Sequence, residues 1–366
     1  MNPLKARISL SAYRHNLKAI QKIVGPNVHI LPVIKANAYG HGVLPLARES
    51  LKQGVPMLGL GTLEEGLELR RAKIAAPILL LDGIFKQQAK SAVKYHLTPV
   101  VTALDTAKEL NRLGSRENRK VSVHLKFDTG MNRLGFTLNE AENALEEISS
   151  MKNIFVEGIM THMASSSDAS SPQNELQLRR FEAVLSLAKD AGLNPTWIHA
   201  ANSGAIINFK ESHYSMVRPG ISLYGYPNAK VKKAAFKVVM TLTTKLISVK
   251  SVNAGEGIGY DATYITPRRK RVGVVFGGYE DGVNRLLSNR GSALVRGVLA
   301  PIVGNVCMDN FMIDLSRAAS ARVGDEVTLL GPQHAAISAE KWAELCGTIS
   351  YEILTGIGNR VERVAK

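Results

Sequence analysis

The chain has 366 residues, of which 45% are hydrophobic and 21% charged, and only two are cysteines, Cys307 and Cys346. That length suits two domains, two cysteines are too few for a disulfide framework, and no apolar run reaches the ~20 residues of a membrane span. The net charge is +15, yet the basic residues are dispersed, and the densest run, Arg268 to Arg271, follows Pro267 as a turn and edge would; a solvated surface that favours anionic ligands accounts for the charge, and no nucleic-acid partner is expected.

The start, "MNPLKARISLSAYRHN", lacks the apolar centre of a signal peptide, so a cytoplasmic protein with no membrane partner is expected. From residue 28 onward short apolar strands alternate with amphipathic helical stretches. The strands are "VHILPVIK" (28–35), "MLGLGT" (57–62), "PILLLDG" (77–83), "LTPVVT" (97–102), "VSVHLKFDTG" (121–130), "VEGIMTHMA" (156–164), "TWIHAANS" (196–203) and "MVRPGISLYG" (216–225). Helical patterns such as "LEEGLELRRA" and "NELQLRRFEAVLSLAKDAG" repeat apolar residues three and four apart. Continuous apolar strands imply burial on both faces, as in a parallel sheet. Eight of them separated by helices predict an α/β fold with a closed (β/α)8 barrel; a doubly wound open sheet is the runner-up.

After Pro227 the pattern changes. "VVMTLTTKLISVKSV", "RVGVVFGG", "SALVRGVLAPIVG", "NFMIDLS" and "DEVTLLG" are short β-type runs broken by Gly, Pro and Asn, with little helical period before "SAEKWAELCG". A mainly antiparallel β domain follows the barrel. The expected division is 1–230 for the barrel and 231–366 for the β domain.

Chemistry in such a barrel sits at the carboxyl ends of the strands. Those ends carry Lys35 and Tyr39, Lys126 with "DTGMNR" to Arg133, His162 in "THMA", Ser203 in "HAANS", and Arg218 in "VRPG". Singly these read as a solvated terminus, a turn, a core histidine, a helix cap and a corner. Five polar ends converging on one mouth are different, because burying them costs free energy unless they serve one another or a ligand. A lysine amine can condense with an aldehyde, Ser203 and the N–H groups near Gly220 and Ile221 can cradle a phosphate, and two arginines can face oxygen or ring-nitrogen acceptors. Pyridoxal phosphate offers all three handles. No residues show metal-ligand spacing, and no metal is expected.

The segments "VIKANAYGHG", "KFDTGMNRLGF", "GIMTHMA", "HAANSGA", "MVRPGISLYG", "GEGIGYDATY", "GGYEDG", "VGNVCMDNFM" and "ISYEILTGIGNRV" together resemble bacterial alanine racemase, in order over nearly the whole chain. The resemblance implies a cytoplasmic homodimer with shared active sites that interconverts L- and D-alanine through a pyridoxal phosphate aldimine and supplies D-alanine for peptidoglycan. It implies Lys35 as Schiff-base lysine and one base, and Tyr260, from the second subunit, as the opposite base. Tyr39, Ser203, Gly220, Ile221 and Tyr351 match phosphate-holding positions. Arg218 matches the arginine facing the pyridine nitrogen, with His162 linked to it. Arg133 and Met308 match substrate-binding positions, while Asp309, Tyr279 and Lys126 are supporting, the last as a possible carbamate paired with Arg133. Asn305 departs from the family, many of whose members carry arginine there.

Three other functions compete. A cofactor-homeostasis barrel would need neither the β domain nor Tyr260. A decarboxylase of the same architecture would carry "HxGS" near His162, where this chain reads "HMAS". A racemase for serine or lysine differs only in pocket width, and the bulk of Tyr260, Tyr351 and Met308 argues for a methyl-sized side chain.

Overall fold

A computed structural model describes residues 3–227 and 235–366, so the expected division at 230/231 lies outside the described residues. Contacts divide the chain into two units. One comprises Tyr13–Ala38 and Val43–Lys237; the other comprises Met1–Ala12, Tyr39–Gly42 and Val238–Lys366.

The strands in chain order begin with β1 (Lys5–Ile8), β2 (His29–Ile30), β3 (Leu58–Leu60), β4 (Ile78–Leu80), β5 (Thr98–Val101), β6 (Val121–Lys126), β7 (Ile154–Met160), β8 (Trp197–His199) and β9 (Met216–Val217). In the first unit, β3 to β8 form one parallel sheet in sequential order, and β2 pairs with β9 in parallel. The ring closes on one side through a parallel bridge between Val33 and Gly59. On the other side, Ser215 N donates to Ile198 O (3.2 Å) and Arg218 N to Ala201 O (2.9 Å). These eight parallel strands are the barrel expected from the sequence.

Local chemistry explains the elements. Every residue of β3, β4 and β5 is buried, as continuous apolar strands require. Helix Leu63–Arg71 starts on a reciprocal Thr62/Glu65 cap, with Glu64 and Glu65 in its first turn and Arg70 and Arg71 in its last, matching the helix dipole. Helix Pro172–Asp190 opens on proline, whose missing N–H costs nothing there. Val123, Leu125, Phe127, Phe181 and Val184 lie in the core between strands and helices.

The second unit contains β10 (Met240–Val252), β11 (Gly257–Ile258), β12 (Tyr264–Ile265), β13 (Lys270–Phe276), β14 (Ser292–Val295), β15 (Val298–Pro301), β16 (Asn310–Asp314), β17 (Glu326–Leu330) and β18 (Glu362–Ala365), together with β1. Its main sheet runs β15-β14-β17-β10-β1-β18, with β13 pairing β10 and β16. All these pairs are antiparallel except β1 with β18. The β character of this unit is expected from the sequence, whereas strand Lys5–Ile8, whose partners are remote in the chain, is not.

One local expectation is refined. The sequence predicts a first barrel strand that runs through to Lys35. Strand-type hydrogen bonds continue from Leu31 N to Val217 O, Val33 N to Pro219 O and Ile34 N to Gly59 O (2.9 Å each), and only at Lys35 does the chain leave the strand for a left-handed turn, with φ of 51° at Ala36, 53° at Asn37, 54° at Ala38 and 52° at Tyr39.

Candidate active site

The turn that begins at Lys35 is conformationally expensive. Left-handed backbone costs a residue with a Cβ about 1–2 kcal/mol, and none of these four is glycine. Nearby groups hold it. Glu65 accepts from Ala36 N (2.6 Å), Asn37 accepts from Val43 N (2.8 Å), and Ala38 N donates to Ile34 O (2.9 Å). Lys35 Nζ lies 3.2 Å from Asp82 Oδ2, with both side chains partly exposed.

Arg218 forms the floor of the cluster. It is 3% exposed and donates to the carbonyls of His199 (2.7 Å), Thr161 (2.6 Å) and Ala200 (3.1 Å), and to Nδ1 of His199 (2.9 Å) and of His162 (3.3 Å). Burial pulls its pKa down to about 9, which leaves it charged at neutral pH. Burial and the Arg218 charge hold His162 well below the usual imidazole range. Lys126, 4% exposed, is lowered to about 8 by burial and by the charges of Arg133 and Arg218. Lys35 and Asp82 also act on Lys126, so these groups share one electrostatic neighbourhood.

Arg133 is brought there by its loop. The Asp128 carboxylate accepts from the backbone N–H of Gly130 (2.9 Å), Met131 (2.9 Å), Asn132 (3.0 Å) and Arg133 (2.7 Å). Burial opposes ionisation of Asp128, but these donors outweigh it and hold its pKa below the ordinary value.

A donor-rich cluster lies next to Arg218 in the chain. Asn202 caps helix Ser203–Asn208 by accepting from Ala205 N (3.1 Å), which leaves the Ser203 hydroxyl for other work. Ser203 Oγ accepts from Gly220 N (2.9 Å) and Ser222 N (3.3 Å) and lies 3.1 Å from the Ser222 hydroxyl. Ile221 is buried beside them. Hydroxyls and N–H groups with no carboxylate among these partners suit a phosphate.

The remaining expected residues lie in the second unit. Tyr39 is buried and packs against Tyr351, ring centroids 5.9 Å apart. Tyr260 is 73% exposed on the short turn joining β11 to β12, where Gly259, Asp261 and Ala262 all have positive φ. Asn305 donates to Tyr260 O (3.0 Å) and reaches Asp261 Oδ2 (3.4 Å). Met308 and Tyr279 are also exposed. A Cβ at Gly278 would overlap the carbonyls of Cys307 and Met308, which places Tyr279 N to donate to Cys307 O (3.0 Å). Asp309 accepts from Arg360 (2.8 Å), which also grips Asp281 twice (3.0 Å each).

Lys35, Lys126, Arg133, His162 and Arg218 are thus gathered in one electrostatic neighbourhood, with Ser203, Gly220 and Ile221 close to Arg218 in the chain. Tyr39, Tyr260, Tyr279, Met308, Asp309 and Tyr351 belong to the other unit. Asp82, Glu65, Asn202 and His199 are not among the site residues expected from the sequence. His199 and Asn202 stood inside the quoted "HAANS" run, where a strand-end histidine was the available signal. Among the described residues no cluster of His, Cys, Asp or Glu could hold a metal ion, and no helix is long and apolar enough to cross a membrane.

A parallel barrel with lysine, arginine and hydroxyl groups gathered beyond its strands, followed in the chain by an antiparallel β unit, is the fold class that frames this site. The chain matches the alanine racemase N-terminal domain over residues 8–228 and the alanine racemase C-terminal domain over 239–365. It is 41% identical to the alanine racemase of Desulforamulus reducens over 366 residues, covering 99% of this chain and 98% of that protein. The crystal structure of alanine racemase from D-cycloserine-producing Streptomyces lavendulae matches with a TM-score of 0.94 and 32% identity, covering 100% of this chain and 97% of that one. The Bartonella henselae alanine racemase with covalently bound pyridoxal phosphate matches with a TM-score of 0.91 and 28% identity, covering 100% of both chains. The chain belongs to the alanine racemase family.

Proposed function

We propose that this chain interconverts L- and D-alanine with pyridoxal phosphate as its resident cofactor, as a cytoplasmic homodimer whose D-alanine serves peptidoglycan. The observation that carries the reading is the gathering of Lys35, the buried Arg218 and the Ser203–Gly220–Ser222 donors in one unit. They supply an amine for an aldehyde, a lasting cation for a ring nitrogen and a cradle for a phosphate, to which Tyr39, Ile221 and Tyr351 would add.

Bound there, pyridoxal phosphate supplies an electron sink that loosens the α-hydrogen of the amino acid. Lys35 would hold the cofactor through its amine and carry a proton at Nζ on one face of the substrate. Tyr260 of the partner subunit would carry a proton at its phenolic oxygen on the other face. Two bases on opposite faces can remove and return a proton without either swinging around. Arg218 donates without surrendering its proton at neutral pH, so an acceptor nitrogen beside it stays unprotonated. That limits charge delocalisation and disfavours transamination. Arg133 would meet the substrate carboxylate, Met308 would border the substrate, and Lys126 would carry a carbamate paired with Arg133.

Two further observations support a shared site. Lys35 and Tyr260 lie in different units, and Tyr260, Met308 and Tyr279 are large side chains left exposed in the single chain. The test is the absorbance spectrum of the purified protein followed by chiral assay with L-alanine, L-serine and L-lysine. A visible cofactor band and turnover of alanine well above serine and lysine are expected. A colourless protein that binds no added cofactor overturns the reading; equal turnover of all three substrates overturns the alanine preference.

A further inference from the structure

Behind Arg218, away from the groups just described, the barrel interior holds two imidazoles that the proposed chemistry does not use. Arg218 Nη1 donates to His199 Nδ1 at 2.9 Å, and His199 Nε2 lies 2.8 Å from His124 Nδ1. Both rings are 0% exposed, and they meet edge to face at 5.0 Å. His124 Nε2 is buried without a hydrogen-bond partner, and Glu157 Oε2 stands 3.7 Å from it. His124 is on β6, Glu157 on β7 and His199 on β8, so the line crosses adjacent strands. A Cβ at Gly158, the residue opposite His124 in the ladder, would overlap the His124 ring; glycine there makes its room.

The proton positions follow from donor arithmetic. A guanidinium has only donors, so His199 Nδ1 must accept. Burial lowers the pKa of both histidines, His199 well below the usual range, so both are neutral. Neutral His199 therefore carries its proton on Nε2 and donates it to His124 Nδ1. His124 then carries its own proton on Nε2, the atom that lies 3.7 Å from Glu157 Oε2. Each link is oriented the same way, from a buried cation to a partly exposed anion. Glu157 opens onto a cavity of about 640 Å³ at the amino ends of the strands, which Arg71, Lys94 and His96 also line.

We propose that Glu157 and His124 are positioning residues for Arg218: a carboxylate and two imidazoles in series give the buried guanidinium a distant counter-charge and fix its rotation. Neutral intermediates polarise one another along such a line, so the charge is felt without a carboxylate beside Arg218. A carboxylate in direct contact would offset the cation that the reaction needs. The inference rests on the reading that Arg218 faces the cofactor ring, although the line itself exists in the protein alone.

The experiment uses the holoenzyme, its E157Q and E157A variants, and histidine labelled with nitrogen-15. In the wild type both imidazoles should show protonated Nε2 and bare Nδ1, a readout independent of turnover and therefore of the proposed function. In E157A those signals should move, and kcat for alanine should fall about 3–10-fold with KM little changed. E157Q, which keeps an acceptor but loses the charge, should fall between. Formate can enter the cavity beside the missing carboxylate and should restore most of the lost kcat in E157A. A wild-type His199 or His124 protonated on Nδ1 overturns the line. So does an E157A enzyme with unchanged signals and kcat, or a loss that formate does not relieve while the signals stay put.

Discussion

The two chemically equipped regions of this chain differ in how their polar groups are used. In the barrel, Arg218 is 3% exposed and its donors meet five acceptors of its own unit. In the β unit, Tyr260 is 73% and Met308 52% exposed, and the Tyr260 turn is tied through its backbone to Asn305 rather than through its ring. The first region is preorganised by its own fold. The second presents its side chains outward, as the proposed shared site requires.

The strongest way to break that contrast is genetic mixing. Lys35→Ala and Tyr260→Phe should each lose at least ~1,000-fold in racemase activity as pure dimers. Mixed and allowed to exchange subunits, about half the dimers become hybrids with one intact site, so activity should return to roughly a quarter of wild type. No recovery, with exchange confirmed by tagged chains, would mean that each site is built within one chain.

Arg218→Glu should come next, with roughly a 100-fold loss of racemisation, retained cofactor and some transamination. A glutamate can share a proton with a ring nitrogen, and arginine does not. Wild-type kinetics and spectrum in this variant would remove Arg218 from the ring.

Lys126 sharpens the barrel side through stability. Its folded pKa, about 8, lies below the ordinary 10.5, so between those values the unfolded chain binds more protons. Stability should therefore rise with pH across that window, by on the order of 1–3 kcal/mol. Lys126→Met should abolish the rise and be more stable than wild type below pH 8, as denaturant titration in carbon-dioxide-free buffer would measure. With bicarbonate, a labelled carbamate carbon should grow in as the amine loses its proton.

The smallest effect belongs to the β side. Asn305→Ala removes the anchor of the Tyr260 turn and should cost about 1 kcal/mol in stability and a few-fold in kcat. The cofactor spectrum, governed by the barrel, should not change. A spectrum altered as much as in Arg218→Glu would erase the distinction between the regions.

How much of this was legible in the sequence follows from the range of the forces involved. Strands β3, β4 and β5 were visible because burial on both faces leaves a nearly unbroken apolar run in each, and β7 because its apolar residues outnumber the polar ones among them. The turn at Lys35 was not, since no glycine marks its left-handed residues, and what holds it, Glu65, is distant in sequence. Ser203 could be read as a cap because Asn202, the true cap, is its neighbour and equally suited to the role. The imidazole line was hidden for another reason. A histidine in an apolar strand looks like any satisfied core residue until its partners on the next strands are known.

Strand Lys5–Ile8 pairs with Met240–Thr243 on one side and Glu362–Ala365 on the other. During synthesis it leaves the ribosome long before either partner exists. The barrel, whose strand partners all lie between His29 and Val217, can close while this segment is still waiting with Ala6 and Ile8 uncovered. Translation thus imposes an order in which the lysine's unit matures first and the tyrosine's unit last. A nascent chain stalled between them would expose a sticky edge, and chaperones would have reason to attend to it.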